Sequence, residues 1–344
     1  MASPASVLTG LGAGLPVIAA PMAGGAGTPA LAVAAARAGS LGFVAAGYLT
    51  AAALADRIAE VRATGVSFGV NLFAPDPVMV DRDAYRRYAA EITPEAAAVG
   101  AGLPDEPRED DDAWAAKTDL LLADPVPLVS VTFGIPDAGL VARLRSRGTV
   151  VVLTVTSAAE ARAAAAAGPD ALVVQAASAG GHSATLDPGR ALPATPLAAL
   201  LREVAAAVPL PLIGAGGVGD AADVVAALGA GAHAVMVGTA LLRSDESGAS
   251  ATHRDALVAP GRGTVLTLAF TGRPARALRN GFIDRHDATA PLGYPALHHL
   301  TGPMRRAAAA AGDADRMHLW AGTGHARAAT GPAGEILRAL SARS

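Results

Sequence analysis

Eight short apolar runs, each continuous rather than alternating, are spread along the chain from Pro16 to Gly238. They read as strands at residues 16–20, 42–46, 67–71, 128–132, 149–155, 171–175, 211–215 and 234–238. A strand apolar on every position is buried on both faces, and helical segments follow the runs, so the sheet is parallel and covered by helices. Eight such units predict an α/β fold, a closed (β/α)8 TIM barrel rather than an open doubly wound sheet.

Helix signals punctuate the same pattern. Thr28-Pro29 places a capping hydroxyl before a proline of the first turn, Thr50 and Asp137 cap the next regular helices, and Ser157-x-x-Glu160 is a capping box. Between residues 75 and 123 the alternation breaks into an irregular, partly helical excursion. Its acidic run Glu109–Asp112 reads as a solvated helix start favoured by the helix dipole. Residues 241–325 do not repeat the unit and are expected to form an inserted, smaller, mainly helical domain over the barrel mouth. The helix at 332–342 then closes the ring. The predicted division is therefore 1–240 with 326–344 as the barrel, and 241–325 as the cover.

With 344 residues, 52% of them apolar, the chain can bury a large core. The net charge of −3 and the lack of a basic run argue against a nucleic-acid partner. There is no cysteine, which excludes disulfides and thiolate chemistry and fits a reducing cytoplasm. No signal peptide or membrane span is expected, because Arg37, Gly39, Ser40, Gly42 and Gly47 interrupt the most apolar stretch. The single lysine, Lys117, reads as a matter of composition. The histidines lack ligand spacing, so no metal is expected.

In a barrel of this kind the site lies at the C-terminal strand ends. The sixth strand ends at Gln175 and opens onto Gly180-Gly181-His182, where backbone can approach a flat or anionic ligand and a histidine projects over it. Taken alone, this stretch reads equally as a glycine-rich turn before a surface histidine. Gly216-Gly217 and Gly238-Thr239 suit an anion cradle for a phosphate monoester. Gly216-Gly217 read alone is a tight strand-to-helix turn. Asn71 ends the third strand with an amide that is either a ligand group or a structural tie.

Together, Ala20-Pro-Met-Ala-Gly24-Gly25, Asn71, Ser130-Val-Thr-Phe-Gly134, Gln175 with Ala179-Gly-Gly-His182, Gly214-Ala-Gly-Gly217, Gly238-Thr239 and Phe270-Thr-Gly-Arg-Pro274 resemble the nitronate monooxygenases. The likeness runs from about Pro16 to Gly324. It implies an FMN-dependent enzyme without metal that oxidises small alkyl nitronates such as propionate 3-nitronate with O2 through a flavin semiquinone. It also implies that Pro21, Met22 and Asn71 flank the flavin and Gln175 reaches its polar edge. Gly180, Gly181, Gly216, Gly217, Met236, Gly238 and Thr239 would hold the ribityl phosphate, and His182 matches the catalytic histidine.

Some positions depart from the family pattern. Ala176 and Ser178 stand where the family often has Gly and Glu, and Met236 where it often has Gln. Loss of a carboxylate at Ser178 is expected to lower the pKa of His182. Tyr294 and His298 are candidate pocket residues from the cover. An FMN- and NAD(P)H-dependent quinone or enoyl-thioester reductase is the alternative enzyme, and a non-catalytic flavin-binding protein a third reading. A homodimer is compatible with all three.

Overall fold

A computed structural model describes residues 10, 12–75 and 78–342. All eight expected strands form, as β1 (Val17–Ala19), β2 (Phe43–Ala45), β3 (Gly69–Phe73), β4 (Leu128–Thr132), β5 (Val150–Val155), β6 (Ala171–Gln175), β8 (Leu212–Ala215) and β9 (Ala234–Val237). A two-residue strand, β7 (Gly181–His182), lies outside the barrel. The eight are parallel in the order β1-β9-β8-β6-β5-β4-β3-β2. The Ala19 N–H donates to Leu41 O at 2.9 Å and the Ser40 hydroxyl to Val17 O, so the two ends of the sheet meet and the barrel nearly closes.

Side-chain parity then decides what fills the barrel. Successive residues of a strand point to opposite faces. Leu172 and Val174 of β6 join the core under the helices, whereas Ala171 and Val173 join Ile18, Phe43, Leu128 and Ile213 in a separate cluster inside the barrel. Gln175 continues the inward set, as Asn71 does on β3 and Thr132 on β4. The same alternation that fills the barrel floor with apolar groups thus turns polar at its C-terminal mouth.

Helices α1 (Pro29–Arg37) and α2 (Ala51–Arg62) start as expected. Thr28 Oγ1 accepts from Leu31 N, and Thr50 Oγ1 from Ala53 N. The excursion carries α3 (Arg82–Ala98) and α4 (Trp114–Ala123), and the outer layer continues with α5 (Ala138–Ser146), α6 (Ala158–Ala166), α7 (Leu197–Ala207) and α8 (Ala221–Gly229). The capping box at α6 is only half made. Ser157 Oγ accepts from Glu160 N, but the Glu160 carboxylate accepts from Thr156 N at 2.6 Å and from Thr185 Oγ1 and Leu186 N at 3.0 Å. It ties down the loop after β7 instead of the cap.

The cover contains α9 (Ala251–Val258), α10 (Gly281–His286) and α11 (Ala296–Ala311), together with an antiparallel pair, β10 (Thr264–Thr267) and β11 (Ala275–Leu278). Beneath it, Tyr85, Tyr88 and Ile92 of α3 share an apolar cluster with Phe270, Phe282, Leu297 and Leu300. Burial of each such side chain contributes about 1.5–3 kcal/mol. The excursion is therefore packed against the cover. Helix α12 (Ala333–Ser341) returns against α1, α8 and β1.

Two sequence readings change. Asp112 does not extend a solvated helix start. It is mostly buried, accepts from Tyr48 N at 2.8 Å, and pairs with Lys117 at 2.7 Å. Lys117 is fully buried and also donates to Ala46 O at 3.0 Å. The lone lysine is an internal tie between α4 and the loop after β2, not a compositional remnant. Among the described residues no helix is long and apolar enough to cross a membrane.

Candidate active site

A cavity of about 560 Å³ opens at the barrel mouth beneath the cover. All the site residues singled out in the sequence line it: Pro21 and Met22 after β1, Asn71 on β3, Gln175 on β6, and Gly180, Gly181 and His182 around β7. Gly216 and Gly217 after β8, Met236 on β9, and Gly238 and Thr239 beyond it complete the set.

One side of the cavity is backbone. Gly217 has φ of +76°, and a Cβ there would lie 2.9 Å from Ser178 Oγ and 3.0 Å from Thr323 Oγ1. A Cβ on Gly180 would lie 2.5 Å from Gly322 N. A side chain at either place would press on the neighbouring loop, so glycine at Gly180 and Gly217 lets the three loops converge there. Thr239 Oγ1 accepts from Gly322 N at 2.9 Å, so the Trp320-Ala-Gly-Thr-Gly324 segment of the cover is part of this cradle. Ser178 packs on the Gly216–Gly217 turn, and no hydrogen bond joins it to His182 among the described residues.

His182 is held from three directions. Its backbone pairs with β11, with Ala275 opposite His182 and Arg276 opposite Gly181. The Gln175 Nε2 donates to His182 O at 3.2 Å, while Gln175 Oε1 accepts from Ala184 N at 2.7 Å. The Thr271 hydroxyl lies 2.9 Å from His182 Nε2. Asn71 plays a similar tying role, donating to Ser130 Oγ at 2.9 Å and Thr132 Oγ1 at 3.0 Å.

The opposite side is aromatic and cationic. Phe133, Tyr294 and Trp320 surround the His182 ring with centroids 5.8, 5.5 and 5.2 Å away. Burial, reinforced by Arg273 and Arg305, pushes the His182 pKa down to about 3. Burial likewise holds His298 and His318 well below the ordinary histidine range, and His253 down to about 4. Tyr48 stacks on His298 at 4.1 Å, and its hydroxyl lies 3.4 Å from that of Tyr294.

His298 lines the cavity, while Tyr294 stands behind it against His182. Arg305, Tyr48, His253, His318 and Trp320, which line the cavity, were not singled out in the sequence as ligand-facing groups. The Phe270-Thr-Gly-Arg-Pro274 stretch already contained Thr271 and Arg273. The others are isolated residues brought in by folding alone. Among the described residues no cluster of His, Asp and Glu is arranged to hold a metal.

A parallel barrel with a glycine cradle at its mouth, and a histidine locked over the same cavity, is a TIM barrel with its ligand site at the C-terminal strand ends. A sequence model of the nitronate monooxygenase family matches residues 5–342, and the chain belongs to that family, a flavin-dependent one. It is 35% identical over 328 residues to the "Probable nitronate monooxygenase" of Staphylococcus aureus (strain Newman), covering 94% of this chain and 92% of that one. Among solved structures it is similar to nitroalkane oxidase from Streptomyces ansochromogenes, with 46% identity, a TM-score of 0.93, and coverage of 97% and 96%. FabK from Thermotoga maritima is similar at 26% identity and a TM-score of 0.76, with coverage of 99% and 95%.

Proposed function

We propose that this enzyme binds FMN and oxidises small alkyl nitronates, propionate 3-nitronate among them, with O2 as co-substrate. The observation that carries the reading is the pairing of a glycine-rich cradle with His182 across one cavity. In this reading Gly180, Gly181, Gly216, Gly217, Gly238 and Thr239 hold the phosphate through backbone N–H groups and a hydroxyl. Pro21, Met22, Asn71 and Met236 flank the rest of the cofactor. Residues 1–240 with 326–344 supply this floor, and 241–325 the roof, with the 322–324 turn reaching into the cradle.

When bound, FMN supplies the redox chemistry, taking electrons from the nitronate and passing them to O2. The chain's own groups place the substrate and keep water out. A neutral His182 can take the α-proton of a nitroalkane through the ring nitrogen not bonded to Thr271. Gln175 acts through His182, because both ends of its amide hold the strand that carries it.

Oxygen uptake by the purified protein with propionate 3-nitronate tests the proposal. Uptake that needs nitronate and no NADH is expected. Steady NADH oxidation with a quinone or an enoyl thioester, without nitronate turnover, would assign it to the reductases instead.

A further inference from the structure

The cavity at the barrel mouth is lined by Arg305, Arg306 and four histidines, and by no Asp or Glu. Arg306 is exposed and solvated. Arg305 is not, being 5% exposed on the inner face of α11. Its Nε donates to Thr301 Oγ1 at 3.0 Å, and its Nη2 to His298 O at 2.8 Å, with His298 Nδ1 at 3.3 Å. These are neutral partners. Nη1 has none among the described residues, and no carboxylate there pairs with Arg305.

Cations elsewhere in the fold are held in two ways, half-buried Arg254 and Arg276 by backbone carbonyls and others by carboxylates. Lys117 has Asp112 at 2.7 Å, and Arg285 and Arg316 share Glu95 at 2.6 and 2.8 Å. A desolvated cation without a counter-charge is destabilising. It is tolerated where a ligand brings the charge. Burial holds the neighbouring His182, His298 and His318 below the ordinary histidine range, which leaves Arg305 the stronger local cation.

The field of Arg305 reaches His182, Tyr48 and His318. It therefore acts on the histidine side of the cavity. A nitronate carries one negative charge over two oxygens on a single planar nitrogen, the same shape as a carboxylate. The guanidinium fork of Arg305 is anchored through Nε and Nη2 on Thr301 and His298, which leaves its charge and its Nη1 N–H groups to meet that anion.

We propose that Arg305 recognises the charge of the substrate and selects the ionised nitronate over the parent neutral nitroalkane. This rests on the nitronate reading above and assigns its specificity to a residue outside the glycine and histidine motifs.

The test compares wild type, Arg305→Met and Arg305→Lys with a nitronate and its parent nitroalkane as separate substrates. In Arg305→Met the KM for nitronate should rise roughly 30-fold or more, as for loss of one partner of a buried charge pair. The KM for the neutral nitroalkane should change less than about threefold, since that substrate brings no charge. Arg305→Lys keeps the charge without the fork and should fall between the two, and it carries the test if the methionine variant does not fold. A second readout needs no turnover: nitrate, a planar monoanion, is titrated into each flavin-loaded protein and followed by the visible spectrum. Nitrate affinity should be lost in Arg305→Met and largely kept in Arg305→Lys. Unchanged nitronate KM and nitrate affinity in both variants overturn the assignment while the function stands. If wild type oxidises no nitronate, the functional reading fails on its own. The nitrate comparison then still decides whether Arg305 is the anion site.

Discussion

The hydroxyl of Thr271 lies 2.9 Å from Nε2 of His182, and Arg273 O stands 3.3 Å from the same hydroxyl. If Thr271 donates to that carbonyl, His182 must donate from Nε2, which leaves Nδ1 as the bare acceptor. One hydroxyl on the cover thus sets both the tautomer and the orientation of a ring carried by the barrel.

Thr271→Val keeps the shape and removes this bond. The variant should retain its flavin and lose about tenfold in kcat, the equivalent of one hydrogen bond of about 1.4 kcal/mol. Steady-state kinetics beside a flavin-to-protein ratio checks it. Loss of flavin in parallel would make Thr271 structural rather than a positioning residue.

The depressed histidines make acid the weak side of the fold. For His182 and His253 burial holds the folded pKa values at about 3 and about 4, below the ordinary histidine value of about 6.5. Between these values the unfolded chain binds protons that the native state refuses. Their contribution is therefore complete above about pH 6.5 and is lost as the pH falls through that window. The melting temperature should decline from pH 7 toward pH 4. Replacing His253 with Gln should flatten part of the slope, and an unchanged slope would contradict burial as its cause.

The cradle predicts a different loss. Gly217→Val introduces a Cβ at a position with φ of +76° and 2.9 Å from Ser178 Oγ. Flavin content should fall by at least about tenfold, because backbone can no longer approach the phosphate. Circular dichroism should be unchanged. A variant that keeps full flavin would place the phosphate elsewhere.

Lys117→Met tests the internal tie. It leaves the Asp112 carboxylate mostly buried without its cation and should cost about 3–5 kcal/mol of stability, read from denaturant unfolding. A loss below about 1 kcal/mol would mean that Asp112 finds water or another partner.

What could be read from the sequence, and what could not, follows from how far apart the partners lie. The eight strands were legible because each is a local apolar run, and the caps Thr28, Thr50 and Asp137 because capping is a contact within a few residues. The cradle glycines announce themselves in pairs. Arg305, Tyr48 and Lys117 gave no such signal. Their meaning comes from His298, Asp112 and Ala46, whose proximity only the folded chain creates. The β10–β11 pair was missed in a segment read as mainly helical. Its strands are four residues each, and β11 docks on Gly181–His182 while β10 pairs with β11. The acidic run misled because Asp112 looks like its exposed neighbours and differs only in what folds over it.

Anaerobic mixing of the purified enzyme with propionate 3-nitronate, followed in the visible spectrum for wild type and His182→Asn, tests the central claim most directly. The account predicts a yellow protein whose oxidised flavin spectrum is lost on mixing in wild type and persists in the variant. A colourless protein that takes up no FMN would contradict the cofactor, and a yellow protein that ignores nitronate but bleaches with NADH would contradict the reaction.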